Sequence, residues 1–395
     1  MAKSDKAYRV LFLYRAVIPS IEGLHMLLDT LRAMGRIDYR FLQEMRVTTT
    51  DLDWADVILL GRFDSWYEAR LTKILRKSKD TVVYYIDDDI LNLPVDIGSA
   101  DYYRREDVRR HIFQAISLSN AVLSPSPLLL EKYAGDGRIP VLFQSTAFPT
   151  EPYRPRERNK PIRIGFAGSL DRVVDLEGYL AEALFRAKKR YRSGIRIDFF
   201  GVTPPFAERL GAECIGYIPD YRKFREVLNG LEWDIGLAPM PDTAFHSCKH
   251  FNKFLEYGGS AIAGIYSDCA PYTRIPRRDE MGRFCENTAE AWYRAICDEI
   301  EDHDARELHR KNSSECVRQE FDLKKVSLEL FDALENVLCR GRNNGKVAHR
   351  QILFPMKLGN IWLRGTGYVQ RKGLKATLAA LGQLYRKTGK GPSGR

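Results

Sequence analysis

Apolar residues in this chain follow two rhythms that alternate: short unbroken runs, and longer stretches in which they return every three or four positions. The runs read as strands buried on both faces of a parallel sheet, and the longer stretches as the helices that cover it. In the first half the pattern predicts strands at Tyr8–Tyr14, Ala55–Leu60, Thr81–Ile86, Ala121–Ser124 and Val141–Phe143, with helices such as Gly23–Met34 and Trp66–Lys77 between them. Residues 147–160 carry Pro149, Pro152 and Pro155 among charged residues, a composition that builds no core element and reads as a linker. The rhythm then restarts. Strands are predicted at Ile162–Ala167, Ile195–Phe200, Trp233–Ala238 and Ala261–Tyr266, with helices at Leu176–Arg192 and Tyr221–Leu231. Three helical patterns close the body, at Thr288–Ile300, Ala305–Asp322 and Leu323–Leu338. Alternation of this kind implies βαβ units. The expectation is an α/β protein of two Rossmann-like doubly wound domains, residues 1–146 and 161–339, facing each other across a cleft. A length of 395 residues is sufficient for two such cores.

Composition changes this picture at one end. Thirteen of the 62 Lys and Arg lie from Arg340 onward, with none of the 52 Asp and Glu, so the formal charge of +10 belongs to the extension 340–395 and the body is near neutral. In the extension Trp362, Tyr368, Leu374, Leu378 and Leu381 are interleaved with Arg364, Arg371, Lys372 and Lys375. That basic amphipathic pattern suits an anionic membrane surface, or packing on the body with a solvated basic side. Aromatic residues are few there and no nucleic-acid recognition motif accompanies them, so nucleic acid is not an expected partner. No run approaches the roughly 18 apolar residues of a membrane span, and MAKSDKAYRV has no signal-type apolar core. The chain is expected in the cytoplasm, peripheral at the inner membrane face. Seven cysteines, Cys214, Cys248, Cys269, Cys285, Cys297, Cys316 and Cys339, form no C-x-x-C pair and read as reduced thiols.

Candidate chemistry lies at the carboxyl ends of predicted strands, where open α/β sheets bind ligands. Gly165–Ser169, followed by Asp171 and Arg172, is a strand entering a small-residue turn; its N–H groups suit phosphate oxygens, and a tight structural turn has the same composition. Gly236–Met240 leads through Pro239 into FHSCKHFNKFLEYGG. The spacing predicts one helix there, with Lys249, Lys253 and Glu256 on one face and a left-handed stop at Gly258-Gly259. Two ammonium groups near a helix start, with a carboxylate beyond, suit a diphosphate and the vicinal hydroxyls of a sugar; a solvated helix face carries the same charge pattern. In the first half Asp87-Asp88-Asp89 places three carboxylates at a strand end. A divalent metal, a basic partner such as Arg15 or Arg104, or helix N-terminal donors would compensate them; a solvated acidic turn is the alternative. His25 follows the first strand by about ten residues and either reaches the cleft or is a structural histidine.

These segments carry a resemblance. GFAGS (165–169), WDIGLAPM (233–240), CKHFNKFLEYGG (248–259) and APY (270–272) are similar to group 1 glycosyltransferases of the GT-B fold. YYIDDDILNLP (84–94) and AVLSPSPLL (121–129) resemble the first domain of a bacterial subgroup active in surface polysaccharide assembly, and the likeness spans roughly residues 8–338. It implies transfer of a sugar from a nucleoside diphosphate donor to the hydroxyl of a glycan or lipid-linked acceptor, with retention and with neither metal nor cofactor, the nucleotide sugar being a substrate. By that likeness Lys249 and Lys253 hold the diphosphate and Glu256 the ribose, with Gly168, Ser169, Arg172, Pro239 and Tyr272 completing the donor contacts. Asp87, Asp88 and Asp89 face the acceptor, and Asp88 and His25 join the lysines and Glu256 as candidate catalytic residues. Two positions depart from the family pattern: Cys248 stands where its first glutamate falls, and RAVIPSIE (15–22) replaces its glycine-rich loop. The alternatives are a non-catalytic GT-B-like scaffold that binds a sugar nucleotide or polysaccharide, and a metal-dependent transferase using Asp87 and Asp89.

Overall fold

The computed structural model describes residues 7–78, 81–95, 97–135, 137–145, 152–156, 161–168 and 176–341. The first sheet contains β1 (Tyr8–Tyr14), β2 (Ile37–Gln43), β3 (Val57–Gly61), β4 (Thr81–Tyr85), β5 (Ala121–Ser124) and β6 (Ile139–Leu142), in the order β2-β1-β3-β4-β5-β6. The second contains β7 (Ile162–Ala167), β8 (Ile195–Phe200), β9 (Glu213–Ile215), β10 (Ile235–Ala238), β11 (Ala263–Ser267) and β12 (Gly282–Cys285), in the order β12-β11-β10-β7-β8-β9. Every pairing is parallel. The α/β architecture of two doubly wound sheets is the one expected.

Three strands were not foreseen, β2, β9 and β12, and all three are sheet edges. An edge strand is wetted on one side and needs no continuous apolar run. IDYRFLQ in β2 is mostly half-buried, and ECI in β9 is largely exposed. The central strands, by contrast, are buried on both faces with a period of two: Leu11, Leu13, Ile58 and Leu60 enter one core, Val10, Phe12, Val57 and Leu59 the other.

The helices Trp66–Lys77 and Glu106–Leu118 cover the first of those cores through Tyr67, Leu71, Val108 and Ile112. The first of them begins with a capping box between Ser65 and Glu68. The opposite face is covered by Pro19–Ala33 and by the last described helix, Leu323–Gly341, which inserts Val326, Leu330, Leu334 and Val337. That helix follows the elements of the second sheet in sequence and packs on the first, so the chain returns to its own beginning.

In each sheet the winding reverses beside the first strand. β1 lies between β2 and β3, and β7 between β8 and β10. Crevices open at the carboxyl ends of strands at such switch points, and here the two crevices face one another.

Candidate functional site

A cavity of ≈ 380 Å³ occupies the space between the two crevices. The first domain lines it with Ser20, Arg62, Asp87 and Asp88, and the second with Gly168, Tyr221, Lys249, His250, Lys253, Glu256 and Tyr272. A larger cavity, ≈ 710 Å³, lies near the amino ends of β7 and β10 beside Arg156, Arg163 and Arg310, on the side away from these residues.

The segment carrying the lysines is two helices, Ala244–Ser247 and Asn252–Gly259, and not the single helix expected. The break has a packing cause. Cys248 is 1% exposed and lies in the first domain's core, while the ring of Phe251 is buried beside Phe254 and Phe321. A continuous helix could not send those two side chains to different domains. Lys249 therefore projects from the connection, and Lys253 and Glu256 from the helix. Gly258 and Gly259 lie inside that helix, and neither forms a left-handed stop. A Cβ on Gly258 would meet Val317 Cγ2 at 2.8 Å and the Ser313 carbonyl oxygen at 2.9 Å, so the residue is small to admit the helix His303–Glu320.

The charges of the cavity are paired. Lys249 Nζ donates across the cleft to Asp88 Oδ1 at 2.7 Å, and Lys253 Nζ donates to Glu256 Oε2 at 2.5 Å. The Tyr221 hydroxyl donates to Glu256 Oε1 at 3.4 Å, and Arg225 holds the Glu256 backbone carbonyl at 2.8 Å. Arg62 Nη1 is 3.4 Å from Asp87 Oδ1 and 4.0 Å from Asp88 Oδ2. Burial raises the Asp87 carboxyl above the usual carboxylate range, opposed by Arg62 and reinforced by Asp88.

The three aspartates thus diverge. Asp87 and Asp88 line the cavity, whereas Asp89 is fully buried behind it, accepting from Lys132 Nζ at 2.6 Å and from the Tyr133 hydroxyl and Asn92 Nδ2. Asp89 is a structural anchor and does not form an acidic pair with Asp87. Among the described residues no three His, Cys, Asp or Glu side chains converge as a metal-binding set. Neither expected basic partner compensates the aspartates: Arg15 pairs with Asp64, and Arg104 with Asp101 at 3.7 Å. Arg62, Lys249 and Lys132 do so instead.

Other expected residues separate as clearly. Gly168 and Tyr272 line the cavity; Pro239 does not, its neighbour Met240 doing so. His25 lies outside it, stacked on Phe41 with ring centroids 4.1 Å apart, its Nδ1 3.1 Å from the Tyr39 hydroxyl. Burial lowers its pKa, as for a structural histidine. Ser169 and Arg172 lie outside the described residues. Arg62, Tyr221 and His250 were missed. Arg62 directly follows β3, as Asp87 closely follows β4, and that position was the available signal. His250 had none: it bridges the domains, Nε2 3.3 Å from Gln144 Oε1 and Nδ1 3.0 Å from Asn252 Oδ1, and burial pushes its pKa down to about 4.

No family model and no curated protein matches the chain. Solved structures do, by shape. HepE of Anabaena, crystallised in complex with UDP and glucose, superposes with a TM-score of 0.57 at 11% identity, over 82% of this chain and 99% of that one. Sucrose-phosphate synthase from Thermosynechococcus elongatus superposes with a TM-score of 0.58 at 12% identity, over 84% and 99%. A glycosyltransferase from Rickettsia africae gives 0.56 at 13% identity, over 86% and 100%. The two facing domains therefore have the GT-B fold over nearly the whole length of each neighbour.

Proposed function

We propose that this chain is a glycosyltransferase that moves a sugar from a nucleoside diphosphate donor to an acceptor hydroxyl. The observation that carries the reading is the cavity at the two facing switch points, with Lys249, Lys253 and Glu256 on one wall and Asp87 and Asp88 on the other. The neighbours add support, since HepE is known bound to UDP and to UDP-glucose. In this reading the donor lies on the second domain. Lys249 and Lys253 meet the diphosphate, stabilising charge that grows as it departs, and Glu256, fixed by Tyr221 and Lys253, accepts from the ribose hydroxyls. Gly168, Met240 and Tyr272 shape that wall. The acceptor enters from the first domain, where Asp87 and Asp88 orient its hydroxyl. Retention, independence from metal and a glycan or lipid-linked acceptor belong to the same proposal.

The test is calorimetric titration with UDP-, GDP-, ADP- and TDP-sugars in EDTA, on the wild type, Lys253→Met and Glu256→Gln. One donor class binding the wild type and weakened by both substitutions is the expected result. A folded protein that binds none of them would sink the reading. Cys248, in place of a family glutamate, favours a second reading as a non-catalytic sugar-nucleotide binder; binding without donor turnover by any acceptor preparation would select it.

No helix among the described residues is long and apolar enough to cross a membrane. Beyond Gly341 the basic extension lies outside the described residues. We propose that it holds the protein on anionic lipid from the cytoplasmic side, through about 1 kcal/mol for each Lys or Arg near the surface. Co-sedimentation with phosphatidylserine vesicles that is lost on deleting 342–395 is the expected behaviour.

A further inference from the structure

Lys249 is committed to the opposite domain in the empty cleft. Its Nζ is 2.7 Å from Asp88 Oδ1, with 22% and 27% of the two side chains exposed. Its main chain is fixed on its own side, where Arg274 Nη2 donates to the Lys249 carbonyl at 2.6 Å, and its ammonium lies 4.6 Å from the centroid of the Phe245 ring. The backbone is anchored on its own domain, while the tip is held across the cleft by a partly exposed ion pair.

Asp88 has a second cation within reach. Arg62 Nη1 stands 4.0 Å from Asp88 Oδ2 and 3.4 Å from Asp87 Oδ1, and neither approach has hydrogen-bond geometry. The guanidinium is 17% exposed, and its backbone is held in the left-handed region, φ 54°, by a hydrogen bond from its N–H to the Tyr85 carbonyl at 3.1 Å. Non-glycine residues occupy that region only where their surroundings enforce it. The fold thus maintains an arginine beside two carboxylates without closing a hydrogen bond to either.

Resting on the nucleotide reading of the cleft, we infer that Asp88 is an internal stand-in for the donor diphosphate: it occupies Lys249 while the site is empty and passes to Arg62 when a diphosphate displaces it. A diphosphate outcompetes a single carboxylate because it brings more charge and more acceptor oxygens to the same ammonium. Without Asp88 the empty cleft would hold an unpaired, partly buried ammonium; with it, three cations (Arg62, Lys249, Lys253) face three carboxylates (Asp87, Asp88, Glu256). Lys253 needs no such arrangement, since Glu256 of its own helix neutralises it. The exchange ties the acceptor-side carboxylate to Lys249 until a donor arrives, so the nucleotide enters first. Arg62 is the positioning residue that makes the displacement inexpensive.

The experiment is titration of UDP, with GDP, ADP and TDP in parallel, into the wild type, Asp88→Asn, Lys249→Met, Arg62→Met and Arg62→Lys. Removing the internal competitor is expected to tighten binding about 3- to 10-fold in Asp88→Asn. The gain disappears when Lys249→Met is added. Arg62→Met weakens binding in the wild-type background and not in the Asp88→Asn background, and Arg62→Lys restores it, a pattern that a merely structural arginine would not produce. Wild-type binding with Asp88→Asn equal or weaker overturns the exchange and leaves the donor site standing. No binding of any nucleotide by the wild type overturns the donor site itself. Should Asp88→Asn not fold, the Arg62 pair decides: weakening in Met with recovery in Lys supports the exchange, and unchanged affinity in both overturns it.

Discussion

The thiol of Cys248 lies 3.4 Å from the ammonium of Lys132, although Cys248 belongs to the second domain and Lys132 to a helix of the first. Lys132 in turn holds the buried Asp89, so the cysteine closes a socket built by a first-domain ion pair. Cys214 and Cys339 are exposed, whereas Cys248 is buried and burial raises its thiol pKa. Alkylation with iodoacetamide followed by mass spectrometry is expected to label Cys214 and Cys339 at least about tenfold faster than Cys248. Equal rates would mean that the domains do not meet as described.

A second prediction concerns the strand that leads to Gly168. A Cβ at Gly165 would sit 2.0 Å from Trp233 Cδ2, and Trp233 is fully buried with its Nε1 donating to Asp198 at 2.8 Å. Indole and backbone are both fixed, so nothing can yield. Gly165→Ala is expected to lower stability by about 3 kcal/mol or to prevent folding, measured by urea denaturation; a loss under about 0.5 kcal/mol would contradict this packing.

Two buried groups oppose each other in their response to pH. His250 is pushed down to about 4, chiefly by burial, so below about 6.5 the unfolded chain takes a proton that the folded chain refuses, and stability falls as pH falls. Glu68 is pushed up to about 7, chiefly by burial and then by Asp64, so the folded chain keeps a proton that the unfolded chain loses near 4.5, and stability falls as pH rises. Each contributes at most about 3 kcal/mol. Urea midpoints at pH 4.5, 5.5, 6.5 and 7.5 are the check. His250→Gln should gain on the wild type as pH falls to 4.5, and Glu68→Gln should gain as pH rises to 7.5. Parallel curves for all three proteins would refute both shifts.

Residues 153–156 are held to the second domain by two carboxylates, Glu307 and Asp234, the latter 3.0 Å from Arg156 Nη1. Glu307 accepts from the Tyr153 hydroxyl at 2.7 Å and from the Arg156 backbone N–H at 3.2 Å, and it pairs with Arg310, whose side chain is 2% exposed. Glu307→Ala leaves that guanidinium buried without its counter-ion, a loss of about 3 kcal/mol. It also frees the Tyr153 hydroxyl and the Arg156 N–H, leaving Arg156 on Asp234 and the Glu232 carbonyl alone, so limited trypsin treatment should cut after Arg156 faster in the variant than in the wild type. Unchanged cleavage would show that the Asp234 and Glu232 contacts are enough to hold residues 153–156.

Much of the fold was legible because its central strands are buried on both faces. A run such as VLFLY in β1 or TVVYY in β4 reads as a strand whatever surrounds it, and β1, β5, β7 and β8 fall at the expected boundaries. The edge strands carry no such run, and pairing with a neighbour is what makes them strands. At the site, Lys253 and Glu256 were legible because three residues along a helix are neighbours by local geometry alone. Spacing alone puts Lys249 on the same helix, because nothing local shows that Cys248 and Phe251 are drawn into different cores.

The sequence by itself determined two doubly wound domains and the strand ends at which ligand chemistry collects, since both follow from apolar periodicity over short windows. Tertiary structure alone decided which charges meet. Asp88 and Lys249 are 161 positions apart, Cys248 enters a socket of Lys132 and Asp89, and Arg62, absent from any motif, stands beside two aspartates. Such pairings depend on how the two domains face one another, and side-chain electrostatics across a cleft leave no periodic trace along the chain.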